Sequence, residues 1–259
     1  MKKKICIILI AAFVALFSTS VYFIFDHYRQ EAQQAELYSS LANMVDCAAD
    51  TEEETTELIL YTEEKTVLPG LIELYQQNSD LAGWIHIEDT NINYPVMHTP
   101  DNPNFYLKHG FDKEYSDYGC PYVQENCNVQ LPSDNVILYG HHMKNGSMFA
   151  DLEKFKNQDF WQEHKTFFFN TVTDRYEYEI ISIFKTFVYS NSPESFKYYH
   201  FVSAETPKDF SAYIDRCKEL ALYETGVSAE YGDKLITLST CEYSRTNGRL
   251  IVVAKRISD

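Results

Sequence analysis

Three residue types at the ends of apolar runs could together do covalent chemistry in this chain. Cys241 closes the run Leu235-Ile236-Thr237-Leu238-Ser239-Thr240, and a thiol at a strand terminus can face a groove. A single cysteine in such a place is more often a small apolar packing residue, so its companions decide the reading. His141 and His142 follow Tyr139-Gly140 at the end of another apolar run, residues 135–139. An imidazole there can donate the proton that a leaving amine requires. Arg249 opens the last apolar run of the chain. If the segments bearing Cys241 and Arg249 pair as a hairpin, the guanidinium returns beside the thiol. Its five donors on a permanent cation suit a developing oxyanion or a substrate carbonyl. A thiol, an imidazole and a guanidinium at strand ends make an acyl-transfer site.

The elements that must position these groups read mostly as strands. Residues 82–87 and 92–97 form two short apolar runs separated by Glu88-Asp89-Thr90-Asn91, and residues 135–139 form a third. Residues 165–171 and 175–187, rich in Phe, Tyr and Ile, flank Thr173-Asp174 as a hairpin. Residues 234–240 and 249–257 form a second hairpin around residues 242–248. Helical patterns occur at Leu68, Leu71, Ile72 and Leu74-Tyr75, at 147–155, and at 206–224, the last opening on Thr206-Pro207. Many short strands with few helices favour a barrel or sandwich over a parallel α/β sheet. No glycine-rich phosphate loop is present, which argues against a nucleotide enzyme.

The N-terminus sets the compartment. Lys2, Lys3 and Lys4 precede 21 uncharged residues, Ile5 to Phe25. As a helix this run is about 31 Å long, against a hydrocarbon core of about 30 Å. The run continues past Ser18-Thr19-Ser20, the one candidate cleavage site, so an uncleaved single-pass anchor is expected, with a cleaved signal peptide as the alternative. The lysines keep residues 1–4 inside the cell membrane and everything after 25 outside it. Residues 26–66 read as a polar, partly helical stalk with an acidic run at 51–57, and residues 67–259 as the catalytic domain. The chain carries 22 basic and 38 acidic residues, a net charge of −16. That sign excludes a phosphate-tracking surface, so no nucleic-acid partner is expected. Six cysteines in 259 residues are too few and too scattered for a disulfide scaffold. Cys120 and Cys127 are expected as free thiols, with a disulfide between them as the alternative.

At this point the chain resembles the sortases, and within them class B. Thr237-Leu238-Ser239-Thr240-Cys241 is similar to the nucleophile motif of that family. Residues 138–149, from Leu138-Tyr139-Gly140-His141-His142, resemble its histidine segment, and residues 249–256 its arginine strand. The resemblance spans about residues 68–258. It implies a mainly β fold: an eight-stranded barrel with N-terminal helices and a helix in the long crossover before the cysteine strand. It implies a cysteine transpeptidase without cofactor or metal, with Cys241 as nucleophile, His141 as acid/base and Arg249 as oxyanion partner. Its substrate would be the C-terminal sorting signal of a secreted surface protein, cleaved after Thr through a thioacyl enzyme. Its acceptor would be an amine of peptidoglycan or of a pilin lysine. Tyr139, Ser239 and Glu242 fall at peptide-contacting positions, with Asn104 and Leu107 as further groove candidates.

Three other readings use the same residues. A purely hydrolytic cysteine peptidase needs the same Cys, His and Arg. A metal centre could draw on Cys120, Cys127, His141 and His142, although their spacing lacks a tight ligand pair. A non-catalytic cell-surface binding module would leave the three motifs without a purpose.

Overall fold

The computed structural model describes residues 2–50, 61–62, 65–188 and 195–257. Helix α1 (Lys2–Asp50) runs from the apolar segment into the polar one without interruption. Its N-terminal part is long and apolar enough to cross a membrane, and the most apolar window is wholly unburied. The acidic run at 51–57 lies outside the described residues. The chain divides into two compact units, Met1–Ser40 and Leu41–Asp259; the architecture below belongs to the second.

A two-residue ladder pairs β1 (Tyr61–Thr62) with β2 (Lys65–Thr66). Helix α2 (Pro69–Gln77) follows, with proline in its first turn and Leu71 and Leu74 buried. Then come β3 (Leu81–His86), β4 (Asn93–Met97), β5 (Tyr122–Val123) and β6 (Asn135–Tyr139). A 3-10 helix (Ala150–Lys156) and α3 (Gln158–Glu163) lead to the hairpin β7 (Thr166–Thr171) and β8 (Glu177–Phe187). Helix α4 (Pro207–Leu220) crosses over to β9 (Leu235–Glu242) and β10 (Gly248–Arg256). The eight strands close into a barrel in the order β10-β8-β7-β3-β4-β5-β6-β9. The expected barrel and crossover helix are therefore present.

Burial explains the closure. Ile85, Ile137, Leu138, Phe167, Phe169, Ile180, Ile183, Leu238 and Val252 are almost fully buried. Each such aliphatic or aromatic side chain contributes roughly 1.5–3 kcal/mol relative to exposure. In β7 the pattern alternates buried and accessible residues, as one inward face requires.

Four details depart from the expectations. Residues 147–149 are not helical: Gly146 (φ 85°) and Met148 (φ 58°) sit in the left-handed region, so the helix starts only at Ala150 and is 3-10. Helix α4 is capped by Thr206, whose side chain accepts from the Asp209 N–H, but it stops at Leu220 rather than 224. There the extended Ala221 bridges Phe184, and Leu222 N–H donates to Ile183 O, so the edge of β8 captures the chain. Strand β5 and helix α3 were not foreseen.

Candidate active site

The β9–β10 hairpin makes Arg249 and Cys241 direct partners across the ladder. The turn that allows this needs a glycine at 248, because a Cβ there would stand 2.3 Å from Glu242 O. On the other side β9 runs parallel to β6, with Tyr139 opposite Ser239. Gly140 N–H donates to Ser239 O at 3.1 Å and Thr240 Oγ1 donates to Gly140 O at 2.9 Å. These bonds bring the histidine segment off the end of β6 beside Cys241. Phe149, fully buried, packs so close to Gly140 that a Cβ would meet its ring at 2.4 Å.

The two histidines have different partners. His141 Nε2 lies 2.8 Å from Leu107 O. A carbonyl only accepts, so Nε2 carries the proton and Nδ1 holds the lone pair of the neutral ring. Burial pushes His141 below the usual histidine range, and Lys108 adds to this; the Leu107 hydrogen bond and Asp117 oppose it. His141 is therefore neutral at pH 7. His142 is turned to the main chain instead: its Nδ1 donates to Cys241 O at 2.9 Å, and its own carbonyl accepts from Tyr243 Oη at 2.8 Å.

Cys241, His141 and Arg249 line one groove of about 300 Å³, together with Tyr139, Ser239, Asn104 and Leu107. Cys241 itself is half-accessible. Arg249 Nη1 donates to Gly248 O at 2.9 Å, which fixes the guanidinium at the strand mouth. Asn104 takes a left-handed conformation and accepts from Tyr122 Oη at 2.9 Å. Ser239 shares a 2.6 Å hydrogen bond with the hydroxyl of buried Tyr198, a phenol that burial pushes up to about 12.

Glu242 is the one expected groove residue placed elsewhere. It is absent from the groove lining, and its buried carboxylate is held by Lys156 and Lys185. Successive strand residues face opposite sides, so a residue next to Cys241 on β9 points away from the thiol's face. The wall also contains Tyr122, Gln124, Glu125, Val188, Tyr198, Tyr199 and Thr240, none of them anticipated. Tyr122 sits on a two-residue strand and Tyr198 and Tyr199 on a three-residue 3-10 helix (Tyr198–His200), elements too short to leave a periodic trace.

The donors of the alternative metal centre do not converge. Cys120 and Cys127 are buried, with their sulfurs directed to Pro95 O and to Gln124 Oε1 and Asn135 O respectively, while the two histidines diverge as described. Among the described residues no group of three or more His, Cys, Asp or Glu side chains could hold a metal ion.

Residues 85–257 match the sortase domain family. Sortase B of Listeria monocytogenes is 32% identical over 192 residues, covering 73% of this chain and 74% of the relative. Sortase B of Staphylococcus aureus is 30% identical over 203 residues, covering 78% and 80%. A Staphylococcus aureus sortase B–substrate complex superposes with a TM-score of 0.76 at 28% identity, over 89% of this chain and 99% of that one. Bacillus anthracis sortase B in complex with AAEK1 gives 0.72 at 26% identity, over 90% and 100%. The chain belongs to the sortase family, within it to the sortase B class, and is a cysteine transpeptidase.

Proposed function

We propose that this transpeptidase cleaves a C-terminal sorting signal of secreted proteins after Thr and joins the product to an amine of peptidoglycan or a pilin lysine. The observation that carries the assignment is the ladder pairing of Arg249 with Cys241 in a groove that His141 also lines. The Cys241 thiol gives its proton to Nδ1 of His141 as Sγ bonds to the Thr carbonyl carbon. Arg249 holds the oxyanion. Collapse breaks the C–N bond, and the imidazolium protonates the departing amine, leaving a thioester on Sγ. An acceptor amine then adds to the carbonyl and gives its proton to His141. The C–S bond breaks, and the imidazolium returns the proton to sulfur. That a Staphylococcus aureus relative was solved as a substrate complex supports a peptide in this groove.

The same reading puts the enzyme on the outer face of the cell membrane, held by a single helix with residues 1–4 inside. Its support is the apolar N-terminal helix and the lysines that precede the span.

The test uses the full-length protein in detergent with a sorting-signal peptide. In water alone cleavage is slow, because a thioester hydrolyses slowly unless a base activates water. Hydroxylamine or a glycine-type amine diverts the product from free acid to hydroxamate or amide. Mass spectrometry also shows an acyl adduct on Cys241, absent from Cys241→Ala, which is inactive. Free acid dominating at saturating amine, with no adduct trapped, would replace the transpeptidase by a hydrolase.

A further inference from the structure

Glu242 is more deeply engaged than any other carboxylate near the groove. Its side chain is 5% exposed, with Lys156 Nζ at 2.9 Å and Lys185 Nζ at 3.1 Å from Oε1. Ser244 donates both its hydroxyl and its N–H to Oε2. Burial works against the charge, but the Ser244 and lysine hydrogen bonds outweigh it and hold this acid down to about 2. Those partners come from three places: Lys156 ends the 3-10 helix after the histidine segment, Lys185 lies on β8, and Ser244 is in the β9–β10 turn.

The contacts close on themselves. Lys156 also pairs with Glu153, and Glu153 lies 4.0 Å from His142 Nδ1. That nitrogen donates to Cys241 O, and Cys241 is bonded to Glu242. The circuit thus leaves the nucleophile through its carbonyl and returns through the next residue. It fastens the end of β9 to the chain that carries both histidines. On the opposite face of the strand, the thiol is free for chemistry.

We propose that Glu242 is a positioning residue for the transpeptidase reaction, one that fixes the Cys241 end of β9 against the histidine segment through Lys156 and Lys185 rather than by touching the peptide. This rests on the proposed function, since it presumes the same peptide in the same groove. Glu242 is the buried member of this network, whereas Lys156 and Lys185 keep partial access to solvent, so its loss acts through the tie it provides rather than through stranded charge. Removing Glu242 takes its carboxylate from Lys185, leaves Lys156 with Glu153 alone and frees the turn, so Cys241 and Arg249 lose their fixed separation. Small misplacements at a reacting centre are felt in turnover. Peptide binding, which depends on Tyr139, Ser239 and the rest of the lining, stays as it is.

The experiment compares wild type, Glu242→Gln and Lys156→Met as full-length proteins, each first checked for a cooperative melt. Acyl-enzyme formation is followed by mass spectrometry, and kcat and KM are measured with sorting-signal peptide and saturating amine. The expected result for Glu242→Gln is a kcat reduced about tenfold or more with KM within about twofold, and slower acylation of Cys241. Lys156→Met lowers kcat in the same sense, and the double variant is no worse than the poorer single one, as members of one network require. A raised KM with unchanged kcat would overturn the proposal and return Glu242 to peptide contact; unchanged kinetics, or additive effects, would also overturn it. If the glutamine variant fails to melt cooperatively, Lys156→Met alone decides by the same split. Absence of any acyl adduct on wild-type Cys241 is a separate outcome: it removes the proposed function, and this proposal with it.

Discussion

The asymmetry between His141 and His142 has consequences at the level of the single residue. The imidazole that lines the groove is kept neutral by burial, whereas its neighbour donates its Nδ1 proton to the Cys241 carbonyl. His141→Ala should abolish nearly all turnover, and His142→Ala should cost less, since it removes a main-chain tether; peptide cleavage rates rank the two, and the reverse order would make His142 the acid/base. A base whose folded value lies below the usual 6.5 keeps its neutral form down to lower pH. Activity limited by that base is full at pH 7 and falls only as pH drops below 6.5, which a pH profile of kcat/KM on the peptide reads directly. Arg249 offers a planar fork, and Lys only a point charge on a flexible stem. Arg249→Lys should therefore lose about 10²–10³-fold in kcat, the typical cost of an oxyanion donor; a rate within a few-fold of wild type would reduce Arg249 to diffuse electrostatics.

At the scale of elements, the site depends on how tightly β6 and β9 hand over to their loops. A methyl group at 140 would enter the ring of buried Phe149, at 2.4 Å from its nearest carbon. Gly140→Ala should destabilise the fold by about 1–3 kcal/mol, the usual range for overpacking, and should displace His141; thermal melting and peptide turnover would show both losses together. This is also where the sequence was most and least informative. Strands β6, β8, β9 and β10 could be read because their apolar runs are long, and the Cys241–Arg249 pairing followed from the hairpin they imply. Strand β5 has two residues, too few for any period, and without it Tyr122, Gln124 and Glu125 could not be put in the groove wall. The apolar spacing over 147–155 predicts a helix, but Gly146 and Met148 take left-handed backbone, so the helix there is 3-10 and begins only at Ala150. Glu242 was assigned to the groove by resemblance, although period-two alternation along 239–242 already sets it on the face away from Ser239 and Cys241. Local pattern records which face a side chain takes; it does not record which lysines wait there.

For the whole molecule, the acidic charge and the apolar helix bear on the proposed membrane anchoring. A chain with net charge −16 gains nothing from anionic lipid, so adhesion by charge cannot retain it. The proposed anchor predicts that high-salt washing leaves the full-length protein in the membrane fraction and that detergent releases it. A variant lacking residues 1–25 should be recovered in the soluble fraction, and release of the full-length protein by salt alone would contradict a spanning helix. The barrel itself is uneven around its circumference. The β8–β10 ladder runs from Gly248–Phe187 to Arg256–Tyr178, and β6–β9 from Asn135–Leu235 to Tyr139–Ser239. Between β4 and β5 there is one registered pair, Met97 with Tyr122, backed by Met97 N–H to Pro121 O. The ring has its shortest joint there, and β5, which carries Tyr122 of the groove wall, is held by it on one side and by two pairs with β6 on the other. Any load that a seated chain places on that wall falls on the shortest joint, so the Met97 amide should exchange with solvent deuterium well before that of Val252. In the proposed peptide-binding reading, the width of the groove should then respond to a joint distant in sequence from Cys241.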